Sequence, residues 1–409
     1  MSRDRTMVIA GAGLAGARAA ETLRDEGFHG RVVLVGAESE RPYERPPLSK
    51  GYLQGAAQRD AAFVHPEDFY DDRDIELRTS TRVTALDPDD RSVLLEDGEQ
   101  LRYDRLLLAT GAEPRRLAVP GADLEGVHLL RTLEDADRLR TALDRATNVV
   151  VVGSGWIGSE VAASARTLGK EVTLVGRDDV PLAHVLGTEL GGLFGQLHVD
   201  NGVHLEMKTE VEAIQGTRTV DAVRTRDGRT FDADLVVAGV GALPRLELAA
   251  AAGLTINGGV ATDESLHTSA NWVYAAGDIA AAWHPIFGAR VRVEHWANAD
   301  HQGRLAARNM LGAGDSYDRI PYFFSDQFDL GMEYSGYAPR WDDVVVRGDP
   351  ERRELVAFWL RDDRVVAGMN VNVWDVAEQI QALIRSRRPV DTARLVDPCI
   401  PIEALNAAA

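Results

Sequence analysis

Met7-Val8-Ile9-Ala10-Gly11-Ala12-Gly13-Leu14-Ala15-Gly16-Ala17-Arg18-Ala19-Ala20 decides the fold of this chain. Four apolar residues lead into a Gly-x-Gly-x-x-Gly turn, and an alanine-rich run of helix formers follows at once. Gly11 allows the sharp turn, Gly13 lets the backbone come close to a pyrophosphate, and Gly16 brings helix and strand together. The free N–H groups and positive dipole end of the helix then face the phosphates. A second apolar run, Arg31 to Val35, precedes Glu38, whose carboxylate stands where an adenosine ribose is read.

A single glycine fingerprint is weak evidence, but here it recurs. Asn148 to Val152 is a second apolar strand, Gly153-Ser154-Gly155-Trp156-Ile157-Gly158 a second fingerprint, and Ser159 to Leu168 a second helix-forming run. Two complete strand-turn-helix units imply two bound dinucleotides.

The 409 residues are enough for two to four domains, and 45% hydrophobic content supplies several cores. No apolar run approaches a membrane span, and residues 1–6 lead into the first strand without a signal-peptide segment, so a cytoplasmic protein is expected. With 45 basic and 64 acidic residues the formal charge is −19, which argues against general affinity for nucleic acid or anionic membrane. The single cysteine, Cys399, excludes an intrachain disulfide and a Cys-x-x-Cys redox or metal pair; within Asp397-Pro398-Cys399-Ile400-Pro401 it reads as a small buried hydrophobe. No metal site is expected, and redox chemistry must reside in bound cofactors. Only three lysines occur, so Lys50, in the proline-stiffened loop Arg41-Pro42-Tyr43-Glu44-Arg45-Pro46-Pro47-Leu48-Ser49-Lys50, is worth attention.

Residues 65–70 read as helical, and short strands are expected around 75–83 and 92–101 with a turn at Asp97-Gly98. Leu106 to Gly111 and Leu235 to Gly241 are two similar buried strands ending in small residues; between them lie an amphipathic helix over 133–144, the second fingerprint, a strand over 171–175 and a helix over 187–201. The chain then returns to its first domain through Val273 to Asp278, where an acid is expected beside the N–H groups of a following helix. Alternation from Pro321 onward predicts antiparallel strands and a closing helix over 374–386, and Ala407 to Ala409 is expected to fray.

Taken in order, these residues resemble the FAD-containing, NAD(P)H-dependent ferredoxin reductases that serve haem monooxygenases and Rieske dioxygenases. The resemblance rests on the Gly11 fingerprint with Glu38, Arg45-Pro46-Pro47-Leu48-Ser49-Lys50, Ala109-Thr110-Gly111, the Gly153 fingerprint running to Glu160, Tyr274-Ala275-Ala276-Gly277-Asp278, Glu294-His295-Trp296 and Phe324-Ser325-Asp326-Gln327. It covers essentially the whole chain. It implies an α/β fold of two Rossmann-like dinucleotide-binding domains, glutathione-reductase-like, with an α+β C-terminal domain. The expected boundaries are 1–115 and 242–320 for FAD, 116–241 for the nicotinamide nucleotide, and 321–409 for the C-terminal domain.

By matched position Ala15, Glu38, Arg45, Lys50, Val83, Arg131, Asp278 and Trp296 are expected at FAD, with Gly11, Gly13, Gly16, Ala109, Gly111 and Gly277. Gly153, Gly155, Ile157, Gly158, Glu160, Arg177 and Gly241 are expected at the nucleotide. Lys50 and Glu160 are the catalytic candidates: the resemblance implies that they meet beside the reactive flavin nitrogen, where an ammonium stabilises anionic reduced flavin. Glu160 is read as standing in the first turn of its helix. Phe324 replaces the tryptophan usual in the family. Gly176-Arg177 follows the nucleotide-domain strand where many relatives carry an acid; Arg177 would draw a 2′-phosphate, whereas Asp178 and Asp179 could pair with it or reach the ribose, which leaves NADH preferred and NADPH the alternative. The expected partner is a small iron-sulfur ferredoxin, docking through Arg304 and Arg308 on one helix face. Rival activities within the fold are a flavin NADH oxidase, a rubredoxin reductase, and a redox-switched interaction protein resembling apoptosis-inducing factor.

Overall fold

Thr6–Ala10 and Asn148–Val152 alternate their side chains between two buried faces, the pattern that only the middle of a parallel sheet demands. In the first sheet Met7 and Ile9 join one core with Leu23, Leu34, Ile75 and Leu107, while Val8 and Ala10 join another with Val33, Val35, Leu106 and Val273. In the second, Val149 and Val151 pack with Leu174 and Leu235, and Val150 and Val152 with Val175 and Val236. Each such side chain, fully buried, contributes roughly 1.5–3 kcal/mol of transfer free energy.

The structure is a computed structural model that describes residues 4–405; the expected fraying at 407–409 lies outside them. It forms two units, one of Met1–Glu44, Ala62–Glu113 and Pro244–Tyr322, the other of Arg45–Ala61, Pro114–Leu243 and Phe323–Ala409. In the first, five parallel strands run in the order Val273–Ala275, Arg105–Leu108, Thr6–Ala10, Arg31–Val35, Ile75–Arg78. In the second the order is His204–Glu206, Glu171–Val175, Asn148–Val152, Leu235–Ala238, Val127–His128, again all parallel. Each sheet reverses its order beside its fingerprint strand, the crevice where doubly wound folds bind ligands.

The second unit also carries a five-stranded antiparallel sheet built from 322–371, closed by the helix Ala377–Ser386. Helix Ala183–Asp200 packs onto it: Leu186, Phe194 and Leu197 share a core with Met332, Tyr334 and Trp359. Helix Leu133–Arg145 begins at a capping box, with the Thr132 hydroxyl accepting from the Asp135 N–H and the Asp135 carboxylate accepting from the Thr132 N–H.

Several local expectations change. The helix expected over 65–70 is a single turn at Phe69–Asp72, and the one expected from Gly187 starts at Ala183 with a break at Gly187, where φ is 83°. Asp278 does not precede a helix: a 3₁₀ turn, Gly277–Ile279, leads into the strand Ala280–His284, because this alanine run is buried and pairs with Val260–Thr262. Cys399 is exposed, since the segment after Val396 is irregular surface chain.

Candidate functional site

The two fingerprints are built alike. Gly11 takes φ +122° and Gly153 φ +109°; a Cβ on Gly11 would fall 2.1 Å from the Ala109 carbonyl oxygen, and one on Gly153 2.3 Å from that of Gly239. A Cβ on Gly16 would lie 2.0 Å from the Gly11 oxygen, and one on Gly158 1.8 Å from the Gly153 oxygen. These four glycines are required by contact within the protein. Gly13 and Gly155 differ, since a Cβ on either meets nothing within 4 Å. Each is the N-cap of its helix, Leu14–Asp25 or Trp156–Thr167, with no side-chain cap and no acid in the first turn. The helix-end N–H groups and the space before them therefore remain open to an anionic ligand.

In the first unit Gly277 packs against this site: a Cβ there, at φ +78°, would come 3.2 Å from the Ala15 side chain and 3.9 Å from Ala299. Ala299 belongs to the helix Trp296–Leu311, and Gly303 on that helix would place a Cβ 2.3 Å from the Ala15 carbonyl oxygen. Ala15, Gly277, Asp278 and Trp296 thus share one neighbourhood, and the Trp296 Nε1 donor is buried with no hydrogen-bond partner among the described residues. Burial pushes the neighbouring His295 imidazole down to about 4, so it is neutral beside Asp278. Glu38 accepts from the Tyr43 hydroxyl, Gly111 takes φ +68° after Ala109, and Val83 opens the strand Val83–Asp87. Open helix N–H groups, a carboxylate past the second strand and an unpaired buried indole donor fit an adenine dinucleotide in this unit.

Arg45, Lys50 and Arg131 lie in the second unit, with Gly155, Ile157 and Glu160. The Arg45 guanidinium donates to the Arg131 carbonyl. Lys50 Nζ stands 2.7 Å from Glu160 Oε2, with the lysine 16% and the glutamate 4% exposed. Glu160 is the fifth residue of its helix, one turn further in than expected, which is why it is buried rather than solvated. Its Oε2 also accepts from the Ser49 hydroxyl and its Oε1 from Ser325 Oγ at 2.7 Å. Ser49 and Ser325 stand inside two of the motifs quoted above, but their link to Glu160 is not legible in the sequence: they stand 111 and 165 residues from it, and no local pattern joins them. Desolvation pushes the Asp326 carboxyl up, an effect that the Lys50 charge opposes and the Glu160 charge reinforces. Lys50 Nζ also lies 5.9 Å from the centre of the Phe324 ring. Gly241 takes φ +102°, and Ile157 is 46% exposed beside Gly155.

At the end of the nucleotide-unit strand neither acid pairs with Arg177. Asp179 Oδ1 lies 3.0 Å from Lys208 Nζ, and Asp178 Oδ2 lies 3.9 Å from His184 Nδ1. Arg304 and Arg308, in the first unit, each face acids: Arg304 lies 3.2 Å from Glu21 and 3.4 Å from Asp300, and Arg308 2.7 Å from Asp315. Among the described residues no helix is long and apolar enough to cross a membrane.

Comparison with known proteins matches residues 5–303 to the pyridine nucleotide-disulphide oxidoreductases and residues 322–406 to a reductase C-terminal domain. The chain is 40% identical over 404 residues to the ferredoxin reductase subunit of the 5,5'-dehydrodivanillate O-demethylase of a Sphingobium species, covering 98% of each chain. It is 38% identical over 404 residues to the ferredoxin–NAD(+) reductase component of the anthranilate 1,2-dioxygenase system of Burkholderia cepacia, covering 98% of this chain and 99% of that one. Its structure matches putidaredoxin reductase, in the crystal structure of its covalent complex with putidaredoxin, with a TM-score of 0.95 at 36% identity, over 100% of this chain and 99% of that one. The protein belongs to the pyridine nucleotide-disulphide oxidoreductase family, in the branch that ends in a reductase C-terminal domain and includes these ferredoxin reductases.

Proposed function

We propose that this protein takes a hydride from a nicotinamide nucleotide, NADH before NADPH, and passes electrons through bound FAD to a small iron-sulfur ferredoxin that serves a haem monooxygenase or a Rieske oxygenase. The observation that carries this reading is the pair of open, uncapped helix N-termini at Gly13 and Gly155 in one chain. FAD belongs to residues 1–115 and 242–320, the nucleotide to 116–241, and 321–409 form the C-terminal domain; the 45–61 loop groups with the nucleotide-binding residues. Bound FAD supplies the conversion from a two-electron donor to a one-electron acceptor. The family is named for a disulphide, but the single cysteine leaves no dithiol relay here, so bound FAD would itself supply the electrons. The protein's place is the cytoplasm, where the reduced nucleotide pool is.

On this reading Gly13, Glu38, Asp278 and Trp296 hold the flavin dinucleotide, and Gly155, Ile157 and Asp178 hold the nucleotide. Lys50, held in place by Glu160, would offer bound FAD a fixed positive charge that favours its reduced form. In stopped-flow experiments Lys50→Met therefore slows flavin reduction by about tenfold or more, the scale of losing one preorganised charge, while the thermal midpoint stays close to wild type. Reduction at the wild-type rate would remove Lys50 from the mechanism.

Ferredoxin docking is assigned to the helix face of Arg304 and Arg308. Because each arginine already faces a carboxylate, the expected effect is modest: reversing both charges raises the Michaelis constant for an acidic ferredoxin about threefold at low salt, the scale of exposed charges at an interface rim, and leaves ferricyanide reduction intact. An unchanged constant at low salt places the docking face elsewhere.

A further inference from the structure

A line of buried polar side chains runs inward from the Lys50–Glu160 pair, all within the second unit. Ser325 Oγ lies 2.7 Å from Glu160 Oε1, Gln327 Nε2 lies 3.2 Å from Ser325 Oγ, and His198 Nε2 lies 2.9 Å from Gln327 Oε1. Glu160, Ser325, Gln327 and His198 are none of them more than 4% exposed. They come from separate segments: Glu160 from the helix after the second fingerprint, His198 from helix Ala183–Asp200, and Ser325 and Gln327 from the inward face of strand Tyr322–Gln327.

The direction of this line follows from its outer end. A carboxylate paired with an ammonium only accepts, so the Ser325 hydroxyl donates to Glu160 and its oxygen is left to accept. The group facing it must be the Gln327 amide nitrogen, which turns the amide oxygen toward His198, and His198 must then carry its proton on Nε2. Burial favours this neutral imidazole, and its Nδ1 is buried with no partner among the described residues. Every donor in the line therefore points toward Glu160, and none of its members is free to reverse without leaving a buried group unpaired.

We infer that Gln327 and His198 are positioning residues for the Lys50–Glu160 pair. They lock the Ser325 hydroxyl onto Oε1, so that Glu160 presents Oε2 to Lys50 in a single orientation and the ammonium is held at one place. Its bearing on catalysis rests on the reading, given above, that Lys50 acts at the flavin.

The test uses the full-length, flavin-loaded protein and the variants Gln327→Leu, Ser325→Ala and Ser325→Thr. Because the chain has only three lysines, acylation by acetic anhydride followed by mass spectrometry reads Lys50 against Lys170 and Lys208 as internal references. Gln327→Leu and Ser325→Ala are expected to raise Lys50 labelling relative to the other two, and to slow flavin reduction, each by about three- to tenfold, the range that one net hydrogen bond supports. Ser325→Thr keeps the hydroxyl and is expected to restore both values. Ser325→Ala removes one atom and carries the test if Gln327→Leu does not fold. Wild-type labelling of Lys50 in Ser325→Ala overturns the inference. Raised labelling with wild-type flavin reduction upholds the positioning and overturns the role of Lys50 at the flavin.

Discussion

Gly13→Val is expected to purify folded but colourless. The wild-type protein carries about one FAD per chain on the fold's one-site-per-domain logic, and the valine side chain would occupy the space through which the pyrophosphate reaches the helix N–H groups. Among the described residues nothing lies within 4 Å of a Cβ at this position, so the substitution costs little within the fold and its loss falls on the ligand. Gly16→Val is the contrasting variant: its Cβ would sit 2.0 Å from the Gly11 carbonyl oxygen, and soluble, folded protein is not expected. Absorbance near the flavin maximum, read against protein concentration and a thermal melt, separates the two. A folded Gly13→Val protein that keeps its full flavin complement would sink the assignment of this site.

Nucleotide choice gives the second large effect. The two strand ends share one hydrogen-bond frame. The Gly36 N–H donates to Arg78 and the Gly176 N–H to Glu206; the Gly36 carbonyl accepts from Thr81 and that of Gly176 from Thr209; the Glu38 carbonyl accepts from Ser80 at 2.8 Å and that of Asp178 from Lys208 at 3.0 Å. Ser80 and Lys208 both take positive φ, 48° and 54°. Asp178 therefore occupies in the nucleotide unit the place that Glu38 holds in the first, and Arg177 matches Ala37. A Cβ at 176 would fall 2.3 Å from Ser154 Oγ and 2.8 Å from Ser154 Cβ, so an acid there would require Ser154 to move. Asp179 is engaged with Lys208 at 3.0 Å, whereas Asp178 lies 3.9 Å from His184, and Asp178 is the carboxylate proposed for the ribose hydroxyls.

Asp178→Ala is accordingly expected to weaken NADH binding by about tenfold to a hundredfold, the worth of a hydrogen bond to a charged group, whereas Arg177→Ala leaves the NADH constant within about twofold, as for an exposed charge. Dissociation constants for both nucleotides, measured by quenching of protein fluorescence, decide it. Among the described residues neither neighbouring acid pairs with Arg177, and it is the residue that could draw a 2′-phosphate. Preference of the wild type for NADPH by tenfold or more, abolished in Arg177→Ala, would make that arginine the phosphate ligand and set Asp178 aside.

What could be read from the sequence alone is what depends on neighbours along the chain. Both strand-glycine-helix units, the parallel strands ending at Val35, Leu108, Val175 and Ala238, and the antiparallel C-terminal region follow from periodicity and from glycine, whose backbone freedom is a local property. Burial overrides local preference in the alanine run after Asp278, which has the composition of a helix but lies inside a sheet, whereas Cys399, small and apolar, lies on the surface where no core takes it up. The candidate site divides in the same way. Gly13, Gly155 and Glu38 were legible because a fingerprint states their spacing. The partners of Glu160, the turning of Asp178 and Asp179 toward His184 and Lys208 rather than Arg177, and the match of Asp178 to Glu38 belong to the tertiary structure, because a hydrogen bond between residues 165 apart depends on where packed helices and strands bring its two ends.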